Sequence, residues 1–125
     1  MNTWPDAGTT PFRGEKNSNW EGAFRVPCLV RYPRLFPAGA VLNGILSHND
    51  WFVTLSALMG MDDIAARLKA GTELDGKRYK VHLDGHNQLA YLSGKTEKSA
   101  REHFFYVNDE GDLVALRFSN WKFHF

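Results

Sequence analysis

Arg13, Gly14, Lys16, Gly22 and Arg25 stand close together in a stretch rich in Asn, Ser and Glu that runs on into Cys28-Leu29-Val30-Arg31-Tyr32-Pro33. Cations beside glycines suit an anion: glycine permits positive φ and close backbone approach, while ammonium and guanidinium groups supply charge and donors. The residue types alone leave a second reading open, a solvated turn leading into a buried strand. Arg25 is expected to brace this loop through Glu15 or Glu21.

Five histidines, His48, His82, His86, His103 and His124, raise the question of a metal. Only His82 and His86 have the i, i+4 spacing of a helical zinc pair, and Asp84-Gly85 between them predicts a turn instead. His48 reads as a hydrogen-bonding residue near a helix start, and Asp84 and His86 as possible cleft residues. Cys28 is the single cysteine, so no intrachain disulfide can form; its neighbours Val26, Leu29 and Val30 predict a buried structural thiol. Trp51, Phe104, Phe105, Tyr106 and Trp121 are expected in the core rather than on a stacking platform.

A chain of 125 residues, 43% of them hydrophobic, has material for one core. A net charge of +1 with no dominant Lys/Arg stripe argues against nucleic acid as a partner. No segment approaches the roughly 18 consecutive apolar residues of a membrane span, and the N-terminus lacks a signal pattern. Localisation stays open between a periplasmic or secreted parent and a cytoplasmic one.

Residues 1–46 read as a site loop and a strand, 47–100 as helices and loops, and 101–125 as antiparallel strands, together one partial domain. In the first part Trp4, Phe12 and Trp20 are anchors, and Phe24 to Tyr32 is predicted as a mostly buried strand that Pro33 ends. Ser47 and Asp50 form a capping-box pattern ahead of a helix from His48 to Met59, with Phe52, Leu55, Leu58 and Met59 expected inward. Asp62 or Asp63 begins a second helix with Ile64, Ala65 and Leu68 inward, ending at Gly71; a surface loop over 71–77 follows. Asn87 to Leu92 predicts one or two helical turns closed by Gly94. Phe104–Val107, Val114–Phe118 and Trp121–Phe125, separated by turn residues, predict a three-stranded meander.

The stretch from Thr9 to Pro33 resembles the sulfatase family, specifically bacterial arylsulfatases, in which a glycine-rich loop with an active-site lysine precedes an Arg-Val-Pro-x-Leu-Val-Arg-Tyr-Pro strand. Ser47-His48-Asn49-Asp50-Trp51 with Thr54-Leu55, the segment Tyr79 to Asn87, and Arg101 to Phe125 with Asp112 to Arg117 and Trp121-Lys122 extend the resemblance along nearly the whole chain.

The resemblance implies an α/β fold of the alkaline-phosphatase-like kind, of which this chain supplies one main-sheet strand, covering helices and a C-terminal antiparallel meander. It implies hydrolysis of sulfate esters, on small molecules or glycans, with Lys16 as the catalytic and sulfate-binding lysine. Calcium and a formylglycine made from a Cys-x-Pro-x-Arg motif are the family's cofactors, and their ligands lie upstream. Cys28-Leu29-Val30-Arg31 has no proline in the required place. Met1 to Asp6 resembles the segment after the family's metal-binding Asp-Asn, so the chain is expected to be a piece of an arylsulfatase, inactive by itself. The alternatives are a freestanding module for sulfated or carboxylated ligands, a subunit partnering a chain that carries the nucleophile, or a related phosphate or phosphonate hydrolase.

Overall fold

A computed structural model describes residues 11–125; the expectations for Met1 to Thr10, including the Trp4 anchor, lie outside the described residues. The chain divides into two units, one formed by the residues up to Val30 together with His103–Phe125, the other by Arg31–Glu102. Among the described residues the elements are helices and antiparallel sheets, a mixed α/β content.

Among its described residues the first unit holds a single helical turn, α1 (Glu21–Phe24). The predicted strand over Phe24–Tyr32 does not form. Phe24 closes α1, and the chain from Arg25 to Tyr32 belongs to neither sheet. Pro27 has no N–H to give a ladder, and both sheets are built from other residues. Leu29 is accordingly 98% exposed.

In the second unit, α2 (Asn49–Leu58) and α3 (Ile64–Ala70) bring Val53, Ile64 and Leu68 into one core, with Met61 and Leu83 against it. The buried residues of α2 are Asp50, Val53, Thr54 and Ala57, an i, i+3, i+4, i+7 stripe, with Ser56 beside it. Phe52, Leu55 and Met59, predicted inward, are exposed. The reversal has a polar cause: the Asp50 carboxylate collects buried donors, described below, and thereby fixes which face turns in. Gly71, at φ 100, ends α3, and its N–H donates to the Arg67 carbonyl.

Residues 71–77, predicted as a loop, belong to a hairpin of β1 (Thr72–Leu74) and β2 (Lys77–Tyr79). Asp75 and Gly76 both have positive φ, the conformation that an Asp-Gly pair adopts in a two-residue hairpin turn. The predicted turns before Gly94 are α4 (Leu89–Leu92), whose Tyr91 and Leu92 are buried.

The predicted meander is present in the first unit as β3 (His103–Val107), β4 (Leu113–Phe118) and β5 (Trp121–His124), in the order β3-β4-β5. Pairing Tyr106 with Ala115 and Arg117 with Lys122 sets the two faces. One carries Tyr106, Arg117, Lys122 and the fully buried Ala115. The other carries Phe105, Leu116, Phe118, Trp121 and Phe123, and of these Trp121 is 71% exposed. Phe105 and Trp121 are therefore surface residues rather than core.

Candidate functional site

Lys16 sits on a tight turn whose geometry follows from its neighbours. Gly14 and Asn17 have φ of 81° and 70°, which folds the chain back on itself. The Ser18 N–H and hydroxyl both donate to the Glu15 carbonyl, at 3.1 and 2.8 Å. The Gly22 N–H donates to the Arg13 carbonyl at 2.8 Å, and a Cβ on Gly22 would lie 2.0 Å from the Gly14 oxygen. Only glycine allows this approach between α1 and the turn. The Arg13 guanidinium lies over the Trp20 ring at 3.9 Å, and that ring meets His124 at 4.0 Å between centroids. Lys16 itself is exposed and has no hydrogen bond or ion pair with another described residue.

Behind the turn, Glu21 is the centre of a charged cluster. Tyr106 Oη and Lys122 Nζ donate to its Oε1 at 2.8 and 2.9 Å, and Arg117 Nη1 to its Oε2 at 2.9 Å. Burial pushes the Glu21 carboxyl upward, but hydrogen bonds from Lys122 and Tyr106 and the charges of Lys122 and Arg117 outweigh it and hold the pKa below its ordinary value. Burial and the Glu21 carboxylate together raise the Tyr106 phenol well above its usual range. Lys122 Nζ lies 3.6 Å from the Tyr106 ring centroid, and the Asn19 side-chain amide donates to the Val114 carbonyl at 3.1 Å. The stretch Asn19–Glu21 is thus tied to all three strands of the meander.

Arg25 does not pair with Glu15 or Glu21. Its guanidinium lies over the Phe12 ring at 4.3 Å, because the Glu21 carboxylate is taken by Arg117 and Lys122. Cys28 is exposed rather than buried, since the segment around it joins no sheet. His48 precedes α2 and makes no side-chain cap bond.

In the second unit, His82 Nε2 and Asp84 Oδ1 lie 3.4 Å apart, both exposed, beside an open cavity of about 240 Å³ lined by Phe52, Val53 and Leu83. His86 enters the buried network through its backbone, its N–H donating to Asp50 at 2.8 Å. Residues 82–88 are not helical, so His82 and His86 do not share a helix face. Among the described residues no group of three or more His, Cys, Asp or Glu could hold a metal ion, and no helix is long and apolar enough to cross a membrane.

That network is centred on Asp50, which is 0% exposed. It accepts from the Ser47 N–H at 2.9 Å, Gln88 Nε2 at 3.2 Å and Arg101 Nη2 at 2.6 Å, the last of which also donates to the Asp84 carbonyl at 2.7 Å. Gln88 Oε1 in turn accepts from the Ser99 hydroxyl and the Ala100 N–H. Sequence reasoning found Asp50 as a capping residue but neither of these two hubs. The partners of Glu21 lie 85 to 101 residues away and Arg101 lies 51 residues from Asp50, separations that no local pattern reports.

Residues 5–61 match the Sulfatase family. The chain is 38% identical over 115 residues to steryl-sulfatase from Mus musculus, an alignment covering 89% of this chain and 16% of that protein. It is 33% identical over 95 residues to steryl-sulfatase from Homo sapiens, with 76% and 14% covered. With arylsulfatase D from Homo sapiens the identity is 30% over 118 residues, covering 90% and 17%. The chain therefore spans about a sixth of the length of these relatives. No solved structure matches it.

Proposed function

The chain is related to the sulfatase-family enzymes, and from that premise we propose that it is part of a hydrolase of sulfate esters with an alkaline-phosphatase-like fold, in which Lys16 is the catalytic and sulfate-binding residue. One observation carries the assignment: Lys16 is presented to solvent on a turn fixed by Gly14, Asn17 and Gly22, with no internal carboxylate taking its charge among the described residues. An ammonium so placed donates hydrogen bonds to sulfate oxygens and offsets the charge that builds as the ester bond breaks. Calcium and formylglycine are the cofactors expected of the complete enzyme. The described residues offer no fitting metal cluster and Cys28 lacks the maturation motif, so the chemistry assigned to this chain is that of Lys16.

The assay is phenol release from an aryl sulfate. The 125-residue chain is expected to show none, with or without calcium; sustained calcium-dependent turnover by the homogeneous chain would refute the assignment. In a sulfatase carrying this segment, Lys16→Ala should lower turnover by roughly 100-fold or more, the scale of one preorganised electrostatic contact. Cys28→Ala should leave it nearly unchanged. A silent Lys16→Ala removes the lysine from the site.

A further inference from the structure

We propose that Glu21 is the positioning residue of the Lys16 turn, a latch that fixes the lysine by tying α1 to the meander. The proposal rests on the reading of Lys16 as an anion-binding residue. Glu21 touches none of the turn's side chains in the contacts described; it acts through the residue that follows it. Its two carboxylate oxygens are held from three strands, by Tyr106 of β3, Arg117 of β4 and Lys122 of β5, which determines where α1 begins. Gly22, next in the chain, is in backbone contact with the Arg13 and Gly14 carbonyls on the far side of the turn. A shift of Glu21 therefore carries Gly22 with it and moves one wall of the turn. The turn's own bonds, Ser18 to Glu15, are local and fix its shape but not its place.

The arrangement matches what positioning of a charged group demands: a side chain on an exposed turn is held only as well as the shell behind it. Three donors on one carboxylate form a shell of charge-assisted bonds, shorter and stronger than neutral ones. Phe24 adds an apolar support, packing edge-on against Tyr106 at 4.6 Å between centroids.

The test uses the 125-residue chain, inorganic sulfate as probe, and backbone amide resonances as readout. In the parent chain, sulfate should shift the amides of residues 14–18 saturably, and those amides should be as rigid as β3–β5 in relaxation measurements. Glu21→Gln keeps one acceptor oxygen for Tyr106 and Lys122 but loses the charge facing Arg117. It should weaken sulfate binding about tenfold, the scale of one charge-assisted hydrogen bond, and loosen the turn. Gly22→Ala keeps every charged group of the cluster but forces the turn and α1 apart, and should have the same two effects. In both variants β3–β5 should keep their exchange protection. Unchanged turn rigidity in the two variants overturns the latch, as does a loss of affinity that appears only when β3–β5 lose protection. Lys16→Ala separates the two ideas: if it binds sulfate as the parent does, the lysine assignment fails, while turn rigidity in the other variants still decides the latch.

Discussion

Asp50 and Arg101 form a buried ion pair whose partners are 1% and 7% exposed at the side chain. Burial by itself would raise the Asp50 carboxyl, but hydrogen bonds from Arg101 and from the His86 and Ser47 N–H groups hold it below the ordinary value of 3.8. Glu21 is likewise held below its ordinary 4.5. A carboxyl depressed in the folded state stabilises the fold above its unfolded pKa, and that contribution is lost as pH falls through the folded value. Denaturant titrations should accordingly give a stability that is level above about pH 5 and declines below about pH 4. Asp50→Asn should flatten part of that decline, and a slope unchanged by it would show the carboxyl is not depressed. Arg101→Ala removes the pair's cation and leaves the carboxylate buried, which should cost about 3–5 kcal/mol. Equilibrium unfolding of the two chains measures it.

At the level of elements, α2 offers a direct comparison of its two faces. Val53→Ala should destabilise the second unit by roughly 1.5–2.5 kcal/mol, from two buried carbons lost and the space they leave. Leu55→Gln, on the exposed face, should change stability by less than about 0.5 kcal/mol. Equal effects would mean that the helix turns its larger side chains inward after all. The prediction from sequence chose that larger face because Phe52, Leu55 and Met59 are its most apolar residues. What it lacked was Gln88 and Arg101, whose bonds to Asp50 turn the stripe bearing that carboxylate inward. Where local chemistry decides, the sequence was readable: the start of α2, the end of α3 at Gly71 and the turns of the meander all come from residues within a few positions. Residues 71–77 were misread although Asp75-Gly76 is itself a hairpin signal, because the strands it joins are three residues each and carry little apolar alternation. The strand expected over Phe24–Tyr32 required a pairing partner, which no run of residues can supply for itself. For the candidate site, Lys16 and its glycines stand out in the sequence by their composition, whereas the cluster around Glu21 does not.

For the molecule as a whole, the face of the meander bearing Phe105, Phe118, Trp121 and Phe123 and the exposed side of α2 leave large apolar side chains in water. Surfaces of that kind associate. The 125-residue chain should show concentration-dependent self-association in sedimentation velocity, and Trp121→Lys with Phe123→Thr should reduce it; a monomer at every concentration would contradict this. The first unit also has a property that follows from its order along the chain. Glu21 and Lys122 are separated by 101 residues, with the whole second unit between them. During synthesis at about 5–20 residues per second, α1 leaves the ribosome roughly 5–20 seconds before its last partner does. In that interval the second unit has its complete complement of partners and the Lys16 turn does not. A nascent chain stalled when Glu102 has just cleared the ribosome should therefore protect residues 49–92 from protease while residues 11–30 are still cleaved, and the lysine would take its place only when β5 emerges.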